Sequence, residues 1–104
     1  MKNRQAETYN ALYNLVRGKM SSRDIGFYLN TFYDGSASIV ITVARKNTAI
    51  NLSMLVIPEF DDNDHIVRWR ITEEDDCTYA DDIRGVNSQL TRLIQQTRIM
   101  LAKI

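Results

Sequence analysis

The side chains able to do chemistry crowd into one stretch. Between Pro58 and Cys77 stand Glu59, Asp61, Asp62, Asp64, His65, Glu73, Glu74, Asp75, Asp76 and Cys77, in two acidic blocks separated by Arg68, Trp69 and Arg70. The first block has the look of a metal loop. A calcium loop of the helix-loop-helix kind needs alternating acids, a central glycine and a bidentate Glu at its twelfth position, and here the glycine is absent and the flanks read as strands. Transition-metal sites draw on several His or Cys side chains, and the chain has one of each. Paired carboxylates can act as acid and base only in a cleft that separates their pKa values, which wet turns do not supply. The acidic neighbours of Cys77 raise a thiol pKa rather than activate it. Gly18, Gly26, Gly35 and Gly85 stand singly, in no phosphate-cradling spacing. No metal, no cofactor and no enzymatic activity are expected.

A contact surface is the better reading of the acids. Residues 1–58 carry seven bases against three acids, 59–82 carry ten acids against two bases, and 83–104 carry four bases and no acid, in a chain whose formal net charge is zero. Such segregation suits an interaction surface, with solvated turns that keep the chain soluble as the plain alternative. The acidic blocks flank one predicted strand, whose seven residues span roughly 23 Å. They form an acidic rim of Asp61, Asp62, Asp64, Glu73, Glu74, Asp75 and Asp76, suited to a basic protein partner, itself a nucleic-acid binder if the carboxylates occupy a surface made for phosphate.

Length and composition point to one folded domain over residues 1–104. Forty-four per cent of the residues are hydrophobic and twenty-five per cent charged, an ordinary globular balance. Met1 to Arg4 lead into polar sequence with no apolar run of the signal-peptide or membrane type, and the lone cysteine fits a reducing compartment. A cytoplasmic protein without membrane contact is expected.

The elements follow from periodicity. Ala6, Tyr9, Leu12, Tyr13, Val16 and Met20 recur at three and four, which predicts a helix over 4–20 ended by Gly18, Ser21 and Ser22. The period then changes to two. Strands are predicted from Ile25, from Ser38 to Lys46, from Ile50 to a stop at Pro58, and from Ile66 to Thr72, with Asp34-Gly35 as a hairpin turn. Thr78 to Asp81 resemble a capping box, and Ile83, Val86, Leu90, Leu93, Thr97, Met100 and Ile104 trace a seam along a helix of about 25 residues. The expected fold class is α+β in two layers, αββββα: a helix, a four-stranded antiparallel meander and a long C-terminal helix on one sheet face.

Three residue sets complete the expectation. If Ile25, Ile39, Ile41, Val43, Ile50, Met54, Val67, Trp69 and Ile71 face the helices, the outer face shows Val40, Leu55 and Ile57. Together with Ile94, Ile99 and Leu101, which lie off the helical seam, these predict self-association into a homodimer. Tyr28, Phe32, Lys46, Arg68 and Arg70 make the alternative, an aromatic and basic face for single-stranded nucleic acid. The size, the absence of catalytic motifs and the uneven charge suit a non-enzymatic inhibitor or adaptor of the kind phages and mobile elements encode, an analogy of kind that no motif carries.

Overall fold

The computed structural model describes residues 3–19, 24–74 and 76–103. Its elements are α1 (Arg4–Lys19), β1 (Ile25–Thr31), β2 (Ala37–Arg45), β3 (Thr48–Phe60), β4 (Ile66–Glu73), β5 (Asp76–Ala80) and α2 (Ile83–Ala102). The strands pair antiparallel in sequence order, so the α+β fold is a meander with one strand more than expected. The added strand is β5. Residues 78–81, which resemble a capping box, instead continue a ladder in which Trp69 faces Ala80 and Ile71 faces Thr78. The cap of α2 is Asp82, whose carboxylate accepts from the backbone N–H groups of Arg84 and Gly85.

Strand register decides which way every backbone group points. Ala44 N–H donates to Asp24 C=O and Phe32 N–H to Ser36 C=O, so these residues form hydrogen-bonded pairs. The ladder between β1 and β2 is regular. Even-numbered residues of β1 therefore turn N–H and C=O toward β2, and odd-numbered ones toward the open edge. Carried across Ala37↔Val56, the same alternation turns even residues of β3 toward β2 and odd residues toward β4. Pro58 thus lacks its donor on the β2 side, where β2 has already ended opposite Val56. For that reason β3 continues through Pro58 to Phe60 instead of stopping there.

Both helices cover one face of the sheet. Leu12, Val16, Ile39, Ile41, Val43, Met54, Val56, Trp69, Ile71, Val86 and Leu90 form the core of that layer. Trp69 points inward as alternation requires, while Val67 lies beyond the helical cover and is exposed. The buried stripe of α1 is Thr8, Leu12 and Val16. Thr8 enters it because its hydroxyl donates to Gly35 C=O at 2.6 Å, whereas Tyr9 and Tyr13, expected inside, stack on each other near the surface. Gly18 lies within α1 and does not end it; Met20, Ser21 and Ser22 lie outside the described residues. On α2 the seam drifts: Ile94 and Leu101 are buried and Met100 is exposed. A straight helix at 3.6 residues per turn slides off a strict seven-residue repeat, and a sheet accepts a wider stripe than a second helix does. Ile104 lies outside the described residues.

Candidate functional site

β4 covers only part of β3. Their ladder runs from Leu55↔Thr72 to Phe60↔Ile66, while β3 begins at Thr48. The stretch Ala49–Ser53 is therefore paired to β2 on one side and open on the other. By the parity above, Ala49, Asn51 and Ser53 turn their N–H and C=O groups into this opening, and their side chains are exposed. No described group bonds to them.

This notch is a cleft of about 610 Å³ between β3, the β4–β5 turn and α2, lined by Asn51, Leu52, Ser53, Glu73, Glu74, Asp76, Leu93, Gln96 and Met100. One end is acidic. Glu73 and Asp76 face each other across the turn, and both side chains project to the helical side of the sheet. Glu73 Oε2 accepts from Arg92 at 3.3 Å, while its Oε1 is buried with no partner among the described residues. The other end is basic: Arg45 and Lys46 sit at the β2–β3 turn beside Leu101. Along the wall formed by α2, Met100 is 47% exposed.

The first acidic block is organised differently. Asp61 Oδ1 accepts from the N–H groups of Asn63 and His65, both at 2.9 Å, and so shapes the β3–β4 loop. Asp64, in a left-handed conformation with φ 60°, accepts from Arg4 Nε at 2.9 Å. Asp62 is exposed. The two blocks lie at opposite ends of β4, as expected, but they do not form one continuous surface, and Asp75 lies outside the described residues. Among the described residues no three His, Cys, Asp or Glu side chains converge as a metal site requires.

The other predicted sets are scattered. Arg68 donates to both carboxylate oxygens of Glu59 at 2.9 Å and lies 4.4 Å from the ring centre of Tyr79. The hydrogen bond from Arg68 holds the Glu59 carboxyl below its ordinary value, and the same bond raises Arg68. Arg70 stands one strand from Tyr79, Tyr28 lies on β1, Phe32 in the β1–β2 turn and Lys46 at the far end of β3. Glu59, beside Arg68, is twelve residues of strand from Asn47, a span of about 40 Å. Tyr28, Phe32, Lys46, Arg68 and Arg70 therefore do not make one patch.

Comparison with protein-family models, curated proteins and solved structures found no match.

Of the self-association set, Ile94 and Leu101 are corrected: both pack into the core and offer nothing to a second molecule. Val40, Leu55 and Ile57 do lie on the outer face. There Val40 faces Ser53, Leu55 faces Ser38 and Thr72, and Ile57 faces Arg70, so polar neighbours break up the apolar surface. Ile99 remains exposed, but the α2 residues that line the notch are Leu93, Gln96 and Met100. Sequence reasoning did not find the notch, because an unpaired half-strand is a property of register between strands and leaves no mark on residue type. The usable signal was length: a thirteen-residue strand beside one of eight cannot be covered throughout. No helix among the described residues is long and apolar enough to cross a membrane.

Proposed function

We propose that this chain is a non-enzymatic interaction protein that forms a two-fold homodimer through the notch. The observation behind this reading is the open edge of an interior strand, Ala49–Ser53, set between an acidic and a basic turn. Two such edges placed antiparallel join the sheets into one, with Ala49, Asn51 and Ser53 of each copy supplying the missing partners. The same rotation places the Glu73–Asp76 turn of each copy beside Arg45 and Lys46 of the other. Unlike charges then meet at both ends. Met100 comes to face its counterpart.

Sterics permit this arrangement. α2 rests on β2 and β3 as well as β4 and β5, so its C-terminal half stands back from the joined edges and leaves room for the 8–10 Å that packed helices need. Glu73 already meets Arg92 of its own chain, and Glu74 and Asp76 find a basic surface in the second copy. The Asp61–Asp64 loop stays outward, at the far end of each protomer, as the acidic surface for a basic protein partner of the inhibitor or adaptor kind.

Charge exchange tests the dimer. Sedimentation equilibrium should show a dimer with a dissociation constant at or below about 100 μM, the range of weak specific complexes. Lys46→Glu and Glu74→Lys should each weaken it, and the double variant should restore it, because both residues sit on exposed turns and exchange places across the dyad. A monomer throughout that range, or a double variant no tighter than the single ones, overturns the proposal.

A further inference from the structure

The opposite edge of the sheet is open too, and its surroundings differ. The odd-numbered residues of β1 turn their N–H and C=O groups outward, as established above. Gln5 Nε2 donates to Thr31 C=O at 2.9 Å and closes one end, which leaves the backbone groups of Ile25, Phe27 and Leu29 free of described partners. The side chains of these same residues project toward the helices. There Phe27 and Leu29 join Tyr9, Tyr13, Val16 and Arg17 around a groove of about 190 Å³. Backbone donors and acceptors and an apolar groove thus lie along one line, on one side of one strand.

Edge strands are ordinarily protected by charge, proline or a bulge. Ile25–Thr31 has no charged residue and no proline, and its ladder to β2 is unbroken. At the other edge of the sheet β5 is short and opens on Asp76.

We propose that this edge receives an extended peptide segment of another protein, paired to β1, apolar at the alternate positions that enter the groove, and acidic where it passes Arg17. The length of β1 sets a segment of about five to seven residues. Main-chain pairing supplies affinity and the groove selects side chains, the mode by which sheets capture extended peptides. Arg17 is exposed, forms no ion pair among the described residues, and stands in the last turn of α1, whose charged residues, Arg17 and Lys19, are both basic; it favours a carboxylate.

A second copy does not fit this edge. α1 packs chiefly on β1 itself, so two copies joined there would bring their α1 axes to about 5 Å, well inside the 8–10 Å of packed helices. A bare strand meets no such conflict. The notch lies two strands away, so this site does not depend on the homodimer.

The probe is a library of phage-displayed random octapeptides, panned in parallel on the wild type and on a Tyr9→Ala, Tyr13→Ala variant. Both tyrosines are exposed in part, and circular dichroism and the unfolding midpoint verify that the variant folds. Peptides enriched on the wild type alone should alternate apolar residues and carry Asp or Glu near one end. Hydrogen exchange should show Phe27 and Leu29 amides exchanging freely in the dilute protein and slowed at least about tenfold by saturating peptide, with Tyr28 and Asn30 protected throughout. Arg17→Glu should weaken an acidic peptide about fivefold, as expected of one partly exposed ion pair. The proposal fails if no peptide is enriched over the variant or if bound peptide leaves Phe27 and Leu29 unprotected. It also fails if those amides are already slow in the peptide-free dilute protein.

Discussion

Two glycines in two helices should respond oppositely to the same substitution. Gly18 lies in the last turn of α1 with nothing within 4 Å of the position a Cβ would take. Gly18→Ala should therefore stabilise by about 0.5–1 kcal/mol, through reduced backbone entropy of the unfolded chain and better helix propensity. Gly85 lies in the first turn of α2, where a Cβ would overlap the Cβ of Ala80 and lie 3.4 Å from its Cα. Ala80 is paired to Trp69 and has no flexible end to move aside. Against a propensity gain of about 1 kcal/mol, overpacking of this kind costs about 1–3 kcal/mol. Gly85→Ala should destabilise by up to about 2 kcal/mol once the helix shifts off β5. Urea unfolding followed by the fluorescence of Trp69 measures both, with an unchanged slope certifying that stability alone has moved. In an Ala80→Gly background the Gly85→Ala penalty should shrink by about 1–2 kcal/mol, a coupling that isolates the contact. If both single variants stabilise alike, α2 does not press on β5 as described, and the position of the β4–β5 turn at the notch loses its support.

Other substitutions probe the remaining parts. Trp69→Ala, removing a side chain only 4% exposed, should cost about 3–5 kcal/mol in the same assay; a smaller loss would mean that Trp69 is not inside. Asp82→Ala should lower the melting temperature by removing the cap of α2. The hydrogen bond from Arg84 holds Asp82 below its ordinary pKa of 3.8, so its contribution is fully present above that value and is lost as pH falls through the lowered one. The gap between wild type and variant should accordingly close in acid, and a gap that widened below pH 4 would contradict this assignment. Tyr28→Ala should leave the affinity for a labelled single-stranded oligonucleotide unchanged, since Tyr28, Lys46 and Arg68 share no patch; a loss of affinity that is steeply salt-dependent would assign the outer face to nucleic acid.

The layered architecture was legible in the sequence because the period changes twice, from about 3.6 to two and back. Alternation also placed Trp69 inside despite its arginine neighbours. What stayed hidden depended on tertiary partners. Asp76 to Ala80 form a strand although Asp76 and a Cys-Thr pair carry no strand alternation, because β4 supplies the ladder. Thr8 is buried and Tyr9 is not, since Gly35 C=O offers the hydroxyl an acceptor that no pattern along α1 announces. Ile94 and Leu101 read as surplus only if a narrow seam is assumed. The acidic residues were visible as types, but their roles were not: Asp61 folds its own loop, Asp64 anchors α1 and Glu73 is largely buried beside Arg92.

The second acidic block has a structural effect that no reading of it as a rim contains. Glu73 and Asp76 stand directly opposite at the end of the β4–β5 ladder, and like charges so placed weaken their own pair. The two-residue connection behind them allows no further pair, so β4 does not run on beside Ser53, Asn51 and Ala49. Its ladder with β3 ends at Thr72↔Leu55. Glu74, with φ 49°, then turns the chain away from β3 within a two-residue connection. The turn between the two carboxylates, more than their charge, therefore ends strand pairing here. The open edge of β3 follows from that termination, and the acids beside it favour what can cover it: a strand whose neighbouring turn is basic, as the β2–β3 turn of this chain is.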